Sequence, residues 1–183
     1  MKHNRLSKKM AIELNHQLTK EASASQTYLS FGAWASSEGY AGIANFLFGH
    51  ANEERNHMMK ILDYILQRGA TVKIEAIPTP PKHPTSVQHC FEEIFNQEVD
   101  NTKGIYKLVK LSFDEEDWAT WHFLQWFVKE QTEEETLALN LLDKIKISGG
   151  VHASKEALYT LDRDFKSDTG EVNLAEDKTS GHP

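Results

Sequence analysis

Apolar residues recur every three or four positions over four long stretches of the chain, the spacing of a helix that buries one face. In the first, Met10, Leu14, Leu18, Glu21, Ser25, Tyr28 and Gly32 follow Ser7, which is placed to cap the helix. The run Ser36 to Gly39 breaks it, and Ile43, Leu47, His50, Glu54, His57, Ile61 and Tyr64 form a second stripe that stops near Gly69. A third, capped by Thr85 or Ser86, carries Val87, Phe91, Ile94, Glu98, Asn101, Ile105 and Leu108. Asp114 is expected to open the fourth, with Phe123, Phe127, Glu130, Glu134, Leu137, Leu141 and Ile145 on its stripe and Gly149-Gly150 at its end.

The connections decide how these helices are arranged. Residues 70–85 hold Pro78, Pro80, Pro81 and Pro84 and are therefore not helical. Extended, such a segment reaches ~50 Å, more than the ~40 Å length of a helix of about 27 residues. It can cross the whole bundle, whereas the short breaks near Gly39 and Asp114 predict antiparallel hairpins. The expected fold is all-α: a four-helix bundle with a long crossover between the second and third helices. A short amphipathic fifth helix follows, with Ser154, Leu158, Leu161 and Phe165 on one side, and needs something to dock on. Residues 1–166 are expected to form one domain, and the polar stretch 167–183 a disordered tail.

Composition narrows the function only a little. The 183 residues suffice for one core, and the single cysteine, Cys90, excludes an intrachain disulfide. A net charge of −7 and a pI near 5.7 argue against a nucleic-acid partner. There is no apolar run of the ~20 residues that a membrane span needs. The basic start lacks the apolar core and cleavage site of a secretory signal, so a cytoplasmic protein is expected.

The chemistry lies in what interrupts the stripes. Each apolar face carries a carboxylate near its midpoint, Glu21, Glu54, Glu98 and Glu134, with His57 one turn beyond Glu54. A single interior Glu or His is ordinarily hydrogen-bonded or ion-paired. Five converging together, with no Lys or Arg beside the carboxylates on any stripe, require a cation among them. One imidazole with four carboxylates is a hard, oxygen-rich set that suits iron or manganese, and it lacks the thiolates of structural zinc. Two divalent ions would offset most of the charge.

With these residues placed, the chain resembles a bacterial non-haem ferritin. The likeness is carried by Glu21 with Tyr28 seven residues on, HANEERNH from His50 to His57, Glu98, and FLQWFVKEQTEEE from Phe123 to Glu135. It implies a ferritin-like bundle in which Glu21, Glu54 and His57 hold one iron, and Glu54, as bridge, joins Glu98 and Glu134 around a second. It further implies a third iron site of Glu53, Glu130, Glu133 and Glu134, and an outer shell of Tyr28, Gln131 and Trp126. The implied activity is ferroxidase: Fe(II) is oxidised by dioxygen or peroxide and stored as mineral in a homo-oligomeric shell of 24 subunits. Related di-iron proteins carry a second E-x-x-H on the fourth helix. Here those four residues are Gln131-Thr132-Glu133-Glu134. Arg55 stands where a bacterioferritin has its haem-ligating Met, so no haem is expected, and one Cys excludes the cysteine-rich module of rubrerythrins.

His50, one turn before Glu54, reads either as a proton carrier beside the site or as a core histidine; Trp118 and Trp121 read as packing or interface. Two other functions compete. A di-iron or di-manganese oxidase acting on a small organic substrate would need an apolar pocket beside the metals. A metal-free four-helix interaction protein would need no ion at all.

Overall fold

The computed structural model describes residues 4–167. Four long helices, α1 (Lys8–Ser37), α2 (Ala41–Gln67), α3 (Val87–Asp114) and α4 (Trp118–Ile147), are followed by a single 3₁₀ turn and a short α5 (Lys155–Ser167). Of the tail expected to be disordered, Ser167 ends α5 and the rest lies outside the described residues.

The helix starts follow from local side-chain chemistry. Ser7 Oγ accepts from the Met10 N–H at 2.9 Å and Ser86 Oγ from the His89 N–H at 3.1 Å, as N-caps do. The start of α4 differs from expectation. Asp114 closes α3 and pairs with Lys110 one turn back at 2.6 Å, while Asp117 caps α4, accepting from the Thr120 N–H at 3.1 Å. Between them Glu116 takes φ 55°, a left-handed conformation that lets the chain reverse in three residues. Gly39, at φ 87°, serves the same purpose between α1 and α2.

Two apolar clusters hold the bundle. One gathers the C-terminal half of α1 (Tyr28, Phe31) with the start of α2 (Ile43, Leu47), the start of α3 (Phe91, Ile94), the end of α4 (Leu141, Ile145), and α5. The other joins the start of α1 (Met10, Leu14) to the end of α2 (Ile61, Ile65), the end of α3 (Ile105, Leu108) and the start of α4 (Leu124, Phe127). Thus α1 and α2 run antiparallel, as do α3 and α4, whereas α2 and α3 run the same way. Two successive helices that run the same way require a link that returns along the bundle, and residues 68–86 supply it without helix. The crossover is pinned by buried Asn15, whose Oδ1 accepts from the Lys73 N–H at 2.6 Å and whose Nδ2 donates to the Thr71 carbonyl at 3.2 Å.

Helix α5 docks on its own chain. Leu161 and Phe165 enter the first cluster, and Phe165 meets Phe46 at 5.2 Å and Phe91 at 5.4 Å. Tyr40 offers α2 no side-chain cap, and buried Asp162 fills that role from across the fold. Its Oδ1 accepts from the N–H groups of Gly42 at 2.8 Å and Ile43 at 2.9 Å, where a negative charge is favoured by the helix dipole. The apolar side of α5 is therefore satisfied within one subunit. Cys90 is wholly buried in this cluster, and burial pushes its thiol up to about 12. Among the described residues no helix is long and apolar enough to cross a membrane.

Candidate metal centre

Between the two clusters lies a polar layer to which every long helix contributes. Glu21 and Glu98 are 0 % exposed, Glu54 1 %, His57 4 % and Glu134 8 %. The apolar residues that flank each carboxylate on its stripe fill the clusters at either end, which is what draws the acids to one depth in the interior.

The carboxylates are not equally provided for. Glu21 Oε1 accepts from Gln17 Nε2 at 2.8 Å, and its Oε2 accepts from Asn101 Nδ2 at 3.0 Å. Glu98 Oε1 accepts from the Tyr28 hydroxyl at 2.8 Å and Oε2 from Gln131 Nε2 at 3.4 Å. Glu54 has neither oxygen hydrogen-bonded, and His57 Nδ1 has no partner either. That nitrogen lies 3.7 Å from Glu54 Oε2, and on the other side of the ring Nε2 faces Glu130 Oε1 at 3.6 Å. Glu21, Glu54 and His57 present ligand atoms that all lie within 4.8 Å of one another. Each buried polar group without a partner costs on the order of 1–3 kcal/mol, so three such atoms at one point are an arrangement that a cation would relieve.

Proton affinity reflects the same crowding. Burial, then the charge of neighbouring acids, raises Glu54 well above the usual carboxylate range. Glu98 is also raised by burial, against the opposing pull of its Tyr28 and Gln131 hydrogen bonds. Burial with Glu98 and Glu53 nearby brings Glu134 to about 8. For His57, burial disfavours the charged ring, but Glu130 and Glu54 together outweigh it and bring the group to about 11. Without a cation the cluster holds protons in its place.

The surrounding groups are arranged around this layer. Trp126 stands edge-on to His57 at 5.4 Å and takes the Lys60 ammonium over its own ring at 4.1 Å. The expected third set is not gathered in one place. Glu130 turns to His57, and Glu133 is exposed and paired with Lys129 at 3.4 Å. Glu53 instead lies by His50 Nδ1 at 3.1 Å, with Glu134 at 3.6 Å from the same nitrogen. Burial lowers the pKa of His50 and outweighs the pull of Glu53.

The sequence pattern missed the two amides that hold Glu21. Gln17 sits one turn before Glu21 but off the apolar stripe, and its Nε2 also donates to Asn101 Oδ1, tying α1 to α3. Gly104 makes room for it, since a Cβ there would collide with Gln17 Oε1. Asn101 was visible as a polar member of the third stripe; its role was not.

Comparison with known proteins agrees with this architecture. Residues 12–148 match the Ferritin-like domain model. The chain belongs to the ferritin family. Bacterial non-heme ferritin of Campylobacter jejuni is 36% identical over 162 residues, spanning 88% of this chain and 95% of that protein. The probable bacterial non-heme ferritin-like protein of Haemophilus influenzae is also 36% identical, over 87% of this chain and 95% of its own length. Among solved structures, an open pore ferritin from the hyperthermophilic archaeon Archaeoglobus fulgidus has a TM-score of 0.85 at 36% identity, covering 90% of this chain and 98% of that one. The ferritin fold expected from the sequence, with its crossover and fifth helix, is the fold observed.

Proposed function

We propose that this chain is an iron-storage ferritin with ferroxidase activity. Two Fe(II) ions enter the polar layer as substrates, and each gives up one electron to dioxygen or peroxide. The observation that carries this reading is Glu54, buried with both oxygens unpartnered beside Glu21 and His57 and within electrostatic reach of Glu98. A carboxylate so placed can bridge two ions.

In this reading Glu21, Glu54 and His57 hold the first iron, and Glu54, Glu98 and Glu134 the second. Oxygen ligands favour the ferric product, which assists the electron's departure. Gln17 and Asn101 fix the Glu21 carboxylate, while Tyr28 and Gln131 fix that of Glu98, so those two enter ligation already oriented. Glu54, held by no hydrogen bond, is the one free to change from terminal to bridging. Protons that the cluster holds without metal leave as iron binds. Tyr28 and Trp126 lie close enough to the layer to serve as electron donors.

The family membership supports a closed shell of 24 copies around a mineral. Large apolar side chains left in solvent, among them Phe113 edge-on to Trp118, and Ile147, Val151 and Tyr159 near the fifth helix, support contacts between copies. The organic-oxidase reading fares worse: the cavity bordered by Tyr28, His50 and Glu134 is about 10 Å³, the room of one water. A metal-free interaction protein leaves the unpaired atoms of Glu54 and His57 unexplained.

Anaerobic Fe(II) titration followed by air, monitored by absorbance together with particle sizing, tests the proposal. Two tightly bound Fe(II) per chain, oxidation on admitting air and a very large particle are expected. Weak, non-stoichiometric binding with no oxidation above the buffer rate would refute it.

A further inference from the structure

Gln17, Asn101 and Gln131, one buried amide each from α1, α3 and α4, form a single row along the polar layer. Gln17 Nε2 donates to Glu21 Oε1 at 2.8 Å and to Asn101 Oδ1. Asn101 Nδ2 donates to Glu21 Oε2 at 3.0 Å and reaches Gln131 Oε1 at 3.5 Å, while Gln131 Nε2 donates to Glu98 Oε2 at 3.4 Å. A metal-binding carboxylate can only accept, so Glu21 at one end and Glu98 at the other fix which way every amide faces. Amides suit this place because each fills one lone pair of a carboxylate without bringing a positive charge that would compete with an ion. Gly104, inside α3, completes the arrangement. A glycine within a helix costs stability, but here a Cβ would collide with Gln17 Oε1. That oxygen is the far end of a flexible side chain, so an added methyl would turn Gln17 away from Glu21 rather than part the helices.

We propose that Asn101 is a positioning residue for both ions of the layer, orienting Glu21 directly and Glu98 through Gln131, with Gln17 serving Glu21 alone. The assignment rests on the proposed function and adds a coupling between its two metal positions. Asn101 is the amide that joins them: it bonds to the Glu21 carboxylate across the α1–α3 contact and sits one turn beyond Glu98 on its own helix. Remove it, and Glu21 keeps one of its two donors while Gln131 loses the group that sets which of its ends faces Glu98. Gln17 lies at the far end of the row, and its loss leaves the link from Asn101 to Gln131 and Glu98 in place.

Co(II), kept from air so that it is not oxidised, is the probe. The full-length assembled protein is titrated with bound metal counted by equilibrium dialysis, and crystals soaked at limiting Co(II) give the occupancy of each position by anomalous diffraction. Wild type should bind one ion at Glu21/Glu54/His57 and one at Glu98/Glu134. Asn101→Leu, close to Asn in volume, should weaken both about tenfold or more. Gln17→Leu should weaken the Glu21 ion alone, and Gly104→Ala should do the same although it removes no polar atom. Asn101→Ser, too short to span Glu21 and Gln131, replaces Asn101→Leu should the latter fail to assemble. The proposal is overturned if the Asn101 variant leaves the Glu98 ion at wild-type affinity, as a role in folding alone would, or if Gln17→Leu and Gly104→Ala weaken both ions alike or neither. A wild type that binds no ion in the layer would refute the proposed function, and this inference with it; two ions bound equally well by wild type and every variant would refute the role of Asn101 alone.

Discussion

The phenol of Tyr28 donates to Glu98 Oε1 at 2.8 Å, joining α1 to α3 inside the polar layer. The hydroxyl is buried and its pKa is raised by that burial and by the acids around it, so it remains a donor at all ordinary pH. Tyr28→Phe preserves the ring but leaves Glu98 with one oxygen unpaired. A loss of about 1–3 kcal/mol in metal-free stability is expected, together with slower Fe(II) oxidation at nearly unchanged iron stoichiometry. Denaturant unfolding and stopped-flow absorbance check the two parts.

Glu54 is the reverse case, a group whose burial weakens the metal-free fold. Glu54→Leu removes the unpaired oxygens and should raise metal-free stability by roughly 1–3 kcal/mol. The same change should abolish rapid iron oxidation. Unfolding curves of metal-stripped protein beside oxidation rates reveal whether stability and activity move in opposite directions.

The metal-free protein should become less stable as pH rises. Glu134 titrates near 8 in the fold, and a free Glu near ~4.3, so between those values the folded state binds the extra proton. Its contribution is complete below about 4.3 and is lost as pH climbs through about 8. His57, at about 11 in the fold, extends the decline upward from ~6.5. Glu134→Gln should flatten the lower part of the slope. Zn(II) affinity should change with pH in the opposite sense, rising as the protons leave. Melting temperatures and zinc titrations across pH 5 to 9 test both.

Asp162 closes the start of α2 from the far end of the chain. Asp162→Ala should cost about 0.5–2 kcal/mol, the range of a lost helix cap, and should loosen α5 first. Limited proteolysis ought to cut near Ala153 and Ser154 in the variant well before the bundle unfolds. Asp117→Ala should cost about 1 kcal/mol through its cap on α4, while Asp114→Ala, which loses only an exposed pair with Lys110, should stay within roughly 0.5 kcal/mol of wild type.

How far the chain can be read without a structure varies with the range of the interaction. Helix periodicity is local, so the stripes through Glu21, Glu54, Glu98 and Glu134 predicted one buried layer, and the prolines from Pro78 to Pro84 predicted the crossover. Asp114 and Asp117 both suit a cap, and only the left-handed turn at Glu116 decides between them. The grip of Asn15 on the crossover, of Asp162 on α2 and of Gln17 on Asn101 joins residues far apart in sequence, and no periodicity records such pairs. Glu133 enters the third site only through the resemblance, and a step of one residue from Glu134 on a helix turns the side chain by about 100°. It therefore faces solvent.

The division of the apolar packing into two clusters, one at each end of the acidic layer, has a mechanical consequence. Fraying begins at helix termini and must dismantle an entire cluster before it reaches the midpoint. The four acids are consequently the last part of the bundle that thermal opening exposes, and the geometry of the candidate metal centre is shielded from both directions.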